Sequence, residues 1–264
     1  MKATLILISL LFAACGGVTG THSYKDRAEE AYRTGKELLE DGNYLEALTS
    51  FNRVKNEFPY SPFAALSALA VGEVYFEEEK YVESIDVFRL FVRSYPEHPE
   101  VSTALFKESR AFYEQRPSES SIFPPSFERD KGPTKDTITA LDRFLTRYPK
   151  DKRVKEAKEM RTTCRASLAE YELYVAGFYL DRDKPWSARQ RLETVVQTFP
   201  DTSDQWRRAA VALVSTYLLL VHVNETDVEP VANGEALAKA LAKKLVKRFP
   251  RSVEAKSPVI IKLQ

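Results

Sequence analysis

The chain has 264 residues and a mass of 30.1 kDa, enough for one or two ordinary domains with a sizeable core. Hydrophobic residues make up 44% and charged residues 29%, which excludes a disordered chain, and a formal net charge of +1 gives no reason to expect nucleic acid as a partner. Three of the nine glycines lie together at Gly16, Gly17 and Gly20, and the remaining six are too few and too scattered for a phosphate-binding loop or a many-turned β fold. Two cysteines cannot form a disulfide framework.

The N-terminus begins with Lys2 and an apolar run over residues 4–12. This run is too short to cross a bilayer, which takes about 20 residues, so it predicts a secretory signal over residues 1–14. The run ends in the letters FAAC, and small residues before a cysteine resemble the lipobox of bacterial lipoproteins. Cys15 is therefore the predicted lipidation site. The alternative is ordinary cleavage near Ala14, which would leave Cys15 as a free thiol.

Residues 15–25 are predicted to form a short, flexible, lipidated tether. Three acyl chains hold a protein durably at a membrane without a spanning helix. In the lipoproteins that this segment resembles, aspartate directly after the cysteine retains the protein in the inner membrane. Gly16 at that position implies the outer membrane instead, with the protein on its periplasmic face.

The remaining chain repeats one unit five times. An aromatic–proline pair marks the end of each repeat: Phe58-Pro59, Tyr95-Pro96, Tyr148-Pro149, Phe199-Pro200 and Phe249-Pro250. Proline cannot continue a helix, and a repeat that ends in proline is typical of tetratricopeptide helix pairs. We therefore predict an all-α fold, a right-handed α-solenoid of five tetratricopeptide-like helix pairs over residues 26–250, with a concave groove lined by the first helices.

The repeats differ in their loops. The third repeat carries a proline- and serine-rich loop over residues 115–133, and the fifth carries a loop over 222–233. We expect an N-terminal half over 26–133 and a C-terminal half over 134–250. The C-terminal tail, 251–264, is expected to be short and frayed.

No arrangement of residues predicts catalysis, a metal or a cofactor. The three histidines are far apart in the sequence, at His22, His98 and His222. Cys164 lies within a predicted helix and is interpreted as a small buried hydrophobe. A basic stripe with four-residue spacing is either a solvated face or a docking face: Lys239, Lys243 and Lys247.

Two groups of side chains are candidate binding sites. The first is a basic cluster at the turn of the fourth repeat: Arg182, Lys184, Arg189 and Arg191. Arginine is enriched at interface hot spots, although surface charge is the alternative. The second is an aromatic groove in the N-terminal half: Phe58, Tyr60, Phe63 and Tyr75. Proline-stiffened rings can hold an extended apolar peptide, whereas the alternative is that Phe58 and Phe63 staple adjacent helices.

Five short segments occur in a fixed order between Cys15 and about Pro250. They are the lipobox, DGNY at 41–44, YSPF at 60–63, ERD at 128–130, and LAEYE at 168–172, which is followed by VA at 175–176 and FY at 178–179. This order resembles the BamD family, the tetratricopeptide lipoproteins of the outer-membrane β-barrel assembly machinery.

The resemblance implies a scaffold of the outer membrane rather than an enzyme. In this family the C-terminal repeats bind BamA, the barrel subunit, beside other subunits of the machinery, and the N-terminal repeats bind the C-terminal signal of unfolded outer-membrane proteins. Arg191 matches a BamA-facing arginine, and Phe58 matches an aromatic of the substrate-contacting region. The alternative function is a repeat lipoprotein that coordinates envelope division or peptidoglycan synthesis. A peptidoglycan lyase would need a further catalytic domain, for which no residues remain.

Overall fold

The computed structural model describes residues 23–117, 123–221 and 233–263, and all regular structure within these ranges is helical. The α-helices are α1 Tyr24–Glu40, α2 Tyr44–Glu57, α3 Pro62–Glu77, α4 Tyr81–Ser94, α5 Val101–Glu114, α6 Gly132–Arg147, α7 Val154–Leu180, α8 Pro185–Thr198, α9 Ser203–Val221, α10 Gly234–Arg248 and α11 Pro258–Ile261. The predicted all-α class is confirmed, and α1 to α10 follow in the order of five helix pairs. The signal, Cys15 and residues 222–232 of the fifth loop lie outside the described residues.

The second helix of every pair ends in the same conformation. The residue directly after the helix has φ between −134° and −117° and ψ between 48° and 61° in all five repeats: Phe58, Tyr95, Tyr148, Phe199 and Phe249. In each case its N–H donates to the carbonyl four residues earlier, and its carbonyl accepts from the N–H three residues later. The following proline has no N–H to donate and disfavours helical geometry in the residue before it, so the pair acts as a helix stop in all five repeats.

The chain divides into an N-terminal unit, Met1–Glu78, and a C-terminal unit, Glu79–Gln264. In the N-terminal unit, α2 packs on α1 and α3. Helix α1 begins at Tyr24, inside the predicted tether, because the Ser23 hydroxyl accepts from the N–H of Asp26 and the Asp26 carboxylate accepts from that of Ser23. This capping box satisfies two N–H groups that a helix start otherwise leaves unpaired.

In the C-terminal unit, each helix from α4 to α10 packs on the next. The expected boundary between residues 133 and 134 does not separate compact bodies, because α5 and α6 pack on each other across it. Glu108 of α5, whose side chain is fully buried, accepts from Arg89 of α4 at 2.9 Å and also from Arg143 of α6. A buried carboxylate is costly unless it is paired, so these contacts hold three helices in register.

The tail is ordered, and the expectation that it frays is wrong. After a 3₁₀ turn over Glu254–Lys256, α11 places Ile260 in the core, where its side chain is fully buried with residues of α8, α9 and α10. The Glu254 carboxylate accepts from Arg207 Nε on α9 at 3.1 Å. Two buried apolar side chains, Ala255 and Ile260, therefore attach the last described residues to the C-terminal unit.

Candidate functional site

The basic cluster predicted in the fourth repeat lies at the turn between α7 and α8. Asp183 adopts a left-handed conformation with φ of 53°, and the N–H of Lys184 returns to the carbonyl of Tyr179 at 2.9 Å. Pro185 then begins α8 with the φ angle that a first helical residue requires. The local sequence thereby fixes the direction in which α8 leaves the turn. Lys184 and Arg182 are exposed in this turn.

Two arginines of the cluster stack on aromatic rings. The Arg182 guanidinium lies 3.5 Å from the centroid of the Phe178 ring and donates to the Phe178 carbonyl at 3.2 Å. The Arg189 guanidinium lies 4.0 Å from the centroid of Trp186. Stacking on a ring orients a guanidinium without neutralising its charge. Phe178 is 44% exposed and Arg182 is also exposed, so this arginine and its ring partner are both accessible to another protein.

Arg191 is paired with a carboxylate, as is Arg189, whose Nε lies 3.7 Å from Oε1 of Glu193. The Arg191 Nη1 donates to Oε2 of Glu172 on α7 at 3.1 Å, and this hydrogen bond is the main reason that the pKa of Arg191 is raised. The Arg191 side chain nevertheless stays 42% exposed. The residue therefore joins α8 to α7 and still offers part of its guanidinium to a partner.

We call the set Phe178, Arg182, Trp186, Arg189 and Arg191 the α7–α8 surface. The arginines were predicted from the sequence, but the ring partners and Glu172 were not identified as site residues. A signal for the rings was available, since Phe178 and Arg182 are four residues apart and Trp186 and Arg189 are three apart, the spacings that bring helical side chains together.

Phe58, predicted to line the substrate groove, is buried. Its side chain is only 3% exposed, with the Tyr24 ring at 5.1 Å and the Arg27 guanidinium at 5.7 Å from its centroid. Because α1 begins at Tyr24, the first turn of that helix covers the ring. Phe58 is therefore not presented on an open surface, and the alternative that it staples adjacent helices describes its position.

The other three groove residues differ in how much of each ring is accessible. Tyr60 is 94% exposed, and its backbone N–H donates to the Tyr24 hydroxyl at 3.4 Å. Phe63 is half-buried, with its ring centroid 5.6 Å from that of Tyr32 on α1. Tyr75 on α3 is also half-buried. Of the four predicted residues, Tyr60 is the one that presents nearly its whole ring.

The described residues, 23–117, 123–221 and 233–263, contain neither a candidate metal site nor a candidate membrane-spanning helix. No group of three or more His, Cys, Asp or Glu side chains in these ranges could hold a metal ion. No helix in them is long and apolar enough to cross a membrane. Cys164 is fully buried, as predicted, and burial raises the pKa of its thiol.

Comparison with known proteins gives a family match and several relatives. A family described as YfiO, outer membrane lipoprotein, matches residues 24–229. Outer membrane protein assembly factor BamD of Caulobacter vibrioides is 27% identical over 235 residues, which cover 88% of this chain and 73% of the relative. BamD of Vibrio cholerae is 23% identical over 175 residues, which cover 66% of this chain and 73% of the relative.

Among solved structures, a TPR repeats protein from Bacteroides fragilis is 14% identical, with a TM-score of 0.46 and coverage of 89% of this chain and 97% of that one. The family match to YfiO covers well over half of the sequence. The chain therefore belongs to the YfiO family of outer membrane lipoproteins, which confirms the resemblance to the BamD family.

Proposed function

We propose that the protein is a scaffold of the β-barrel assembly machinery that binds BamA through its C-terminal repeats and the C-terminal signals of unfolded outer-membrane proteins through its N-terminal repeats. The BamD names of its relatives support assembly over the alternative, coordination of envelope division or peptidoglycan synthesis. We further propose that residues 1–14 are removed as a signal, that acylated Cys15 holds the chain at the periplasmic face, and that the protein acts by binding rather than catalysis.

The α7–α8 surface is the observation that carries the BamA proposal. Arginine and large aromatic residues dominate the binding energy of protein interfaces, and here they are already stacked on one another in the free protein. A side chain ordered before binding loses less conformational entropy when the partner arrives. The partner surface that fits these cations carries exposed carboxylates.

The role of Arg191 can be tested by exchanging its charge with that of Glu172. Arg191→Glu alone would place two carboxylates together, so it perturbs the contact between α7 and α8 as well as the surface. The double variant Arg191→Glu, Glu172→Arg restores an ion pair in reversed order. We expect both variants to bind the periplasmic domains of BamA about tenfold or more weakly than the parent, measured by surface plasmon resonance.

Recovery of binding in the double variant would assign Arg191 a structural role only. Arg208→Glu is the matched control. Arg208 is 46% exposed and paired with Glu170 of α7 at 2.8 Å, so the substitution makes the same electrostatic change in the same unit outside the α7–α8 surface. BamA binding by this control should match that of the parent.

The substrate proposal depends on Tyr60 more than on the buried Phe58. An extended strand that ends in an aromatic residue can pack its last ring against an exposed tyrosine. Tyr60→Ala should weaken binding of a peptide with such a C-terminus about fivefold, measured by fluorescence anisotropy. Leu45→Ala, which removes another exposed apolar side chain of the N-terminal unit, is the control. An equal loss in both variants would contradict a specific site at Tyr60.

A further inference from the structure

Helix α10 has one buried face and one basic face. The buried face packs into the C-terminal core through Ala238, Leu241, Ala242 and Leu245. The exposed face carries five cations, Lys239, Lys243, Lys244, Lys247 and Arg248. The helix contains a single acidic residue, Glu235 in its first turn. An excess of four positive charges therefore lies on one short helix of a chain whose net charge is only +1.

The five cations fall into two groups. Lys244 and Arg248 lie over the Trp206 ring, at 5.6 and 5.0 Å from its centroid, so they contribute to packing. Lys239, Lys243 and Lys247 recur every fourth residue and form a row about 12 Å long. Within the described ranges, no carboxylate oxygen lies within ion-pair distance of this row. Among the described residues, these three charges therefore make no ion pair.

We propose that this row, the α10 lysine face, binds the anionic phospholipid surface of a membrane. Lysine is a hydrated point charge on a flexible stem, which suits an array of mobile phosphate headgroups. Protein interfaces, by contrast, are enriched in arginine and depleted in lysine. The inference rests on membership of an outer membrane lipoprotein family and not on barrel assembly.

The side chains beside the row suit close approach to a bilayer. Leu237 is 42% exposed, and Ala236 and Ala240 are small and exposed between the cations. A helix that lies on a membrane buries such apolar side chains at the headgroup boundary while its lysines contact phosphate. Each lysine near an anionic surface strengthens binding about fivefold, so three together supply about a hundredfold. This is a weak contact by itself and an effective one beside a second attachment.

The test uses the chain without its signal, residues 15–264, with Cys15→Ala, so that neither acylation nor the apolar signal contributes to binding. This parent is sedimented with vesicles containing about 25% phosphatidylglycerol and, separately, with phosphatidylcholine vesicles. We expect binding to the anionic vesicles only, and weaker binding when salt rises from about 0.1 to about 0.5 M. The variant Lys239→Gln, Lys243→Gln, Lys247→Gln should bind about a hundredfold more weakly.

A matched control replaces three other exposed lysines of the C-terminal unit, Lys150, Lys155 and Lys158, which alternate with carboxylates in the sequence. It removes the same charge and should bind as the parent does. The proposal fails if the parent does not bind anionic vesicles, or if the α10 variant binds them as strongly as the parent does. Loss of a protein crosslink in cells by the α10 variant, without vesicle binding by the parent, would assign the face to an acidic protein and reject the lipid.

Discussion

Gly35 shows how one absent methyl group sets the approach of two helices. A Cβ atom at this position would lie 2.7 Å from Cε1 of Phe51 and within 3.0 Å of two further ring atoms. Phe51 is fully buried, so its ring has little room to move. Gly177, on α7, has nothing within 4 Å of the corresponding position.

These two glycines make a matched pair for measuring packing. Gly35→Ala should lower the free energy of unfolding by about 1–2 kcal/mol, because overpacking outweighs the gain in helix propensity. Gly177→Ala should raise it by about 0.5–1 kcal/mol, because only the propensity changes. Urea denaturation followed by circular dichroism measures both. Equal effects of the two substitutions would contradict a packing role for Gly35.

Among the elements, the start of α7 depends on one arginine. The Arg153 guanidinium donates to both carboxylate oxygens of Asp151, at 2.8 and 2.7 Å. It also donates to the hydroxyls of Ser102 and Thr103 on α5, at 3.0 and 2.9 Å. The planar guanidinium of Arg153 thus joins the turn before α7 to the first turn of α5. Hydrogen bonds from Arg153 are the main reason that the pKa of Asp151 lies well below its ordinary value.

Arg153→Lys keeps the positive charge but loses the planar guanidinium and its several hydrogen bonds. We therefore expect the free energy of unfolding at pH 7 to fall by about 2 kcal/mol. Lys152→Ala, at an exposed neighbour, should change stability by less than about 0.5 kcal/mol. The depressed pKa means that ionised Asp151 stabilises the folded state at neutral pH and that this contribution is lost on acidification. The loss of stability caused by Arg153→Lys should therefore become smaller as the pH falls below 3.8, the ordinary pKa of an aspartate side chain. A deficit independent of pH would contradict the ion pair.

At the scale of the whole molecule, a stack of helix pairs is only as stable as the contacts between neighbours. The last pair of such a stack has no successor to cover it. Within the C-terminal unit, α11 takes part of that place, because Ile260 packs with residues of α8, α9 and α10. The segment after the fifth repeat is therefore a cap for the C-terminal core.

Two adjacent isoleucines test the cap. Ile260→Ala should lower the free energy of unfolding by about 2–4 kcal/mol, because it empties a fully buried position. Ile261→Ala removes a side chain that is 59% exposed and should have an effect below about 0.5 kcal/mol. Thermal unfolding of both variants provides the comparison. Similar melting temperatures for the two would restore the expectation of a frayed tail.

The sequence by itself determined the fold class, the order of the helices and the five helix ends. These features depend on residues close together in the chain: a proline stops a helix locally, and apolar periodicity marks the face that will be buried. The family followed from the order of short motifs, for the same reason. The arginines of the α7–α8 surface were also found this way, because they cluster within ten residues.

Only the tertiary structure decided which side chains are buried and what they contact. Glu108 has the sequence context of an exposed helical residue, yet arginines 19 and 35 residues away neutralise it in the core. Phe58 is covered by a helix that begins 34 residues earlier, and Ile260 by helices that the sequence does not link to the tail. These outcomes depend on contacts between distant segments, which exist only once the helices have packed.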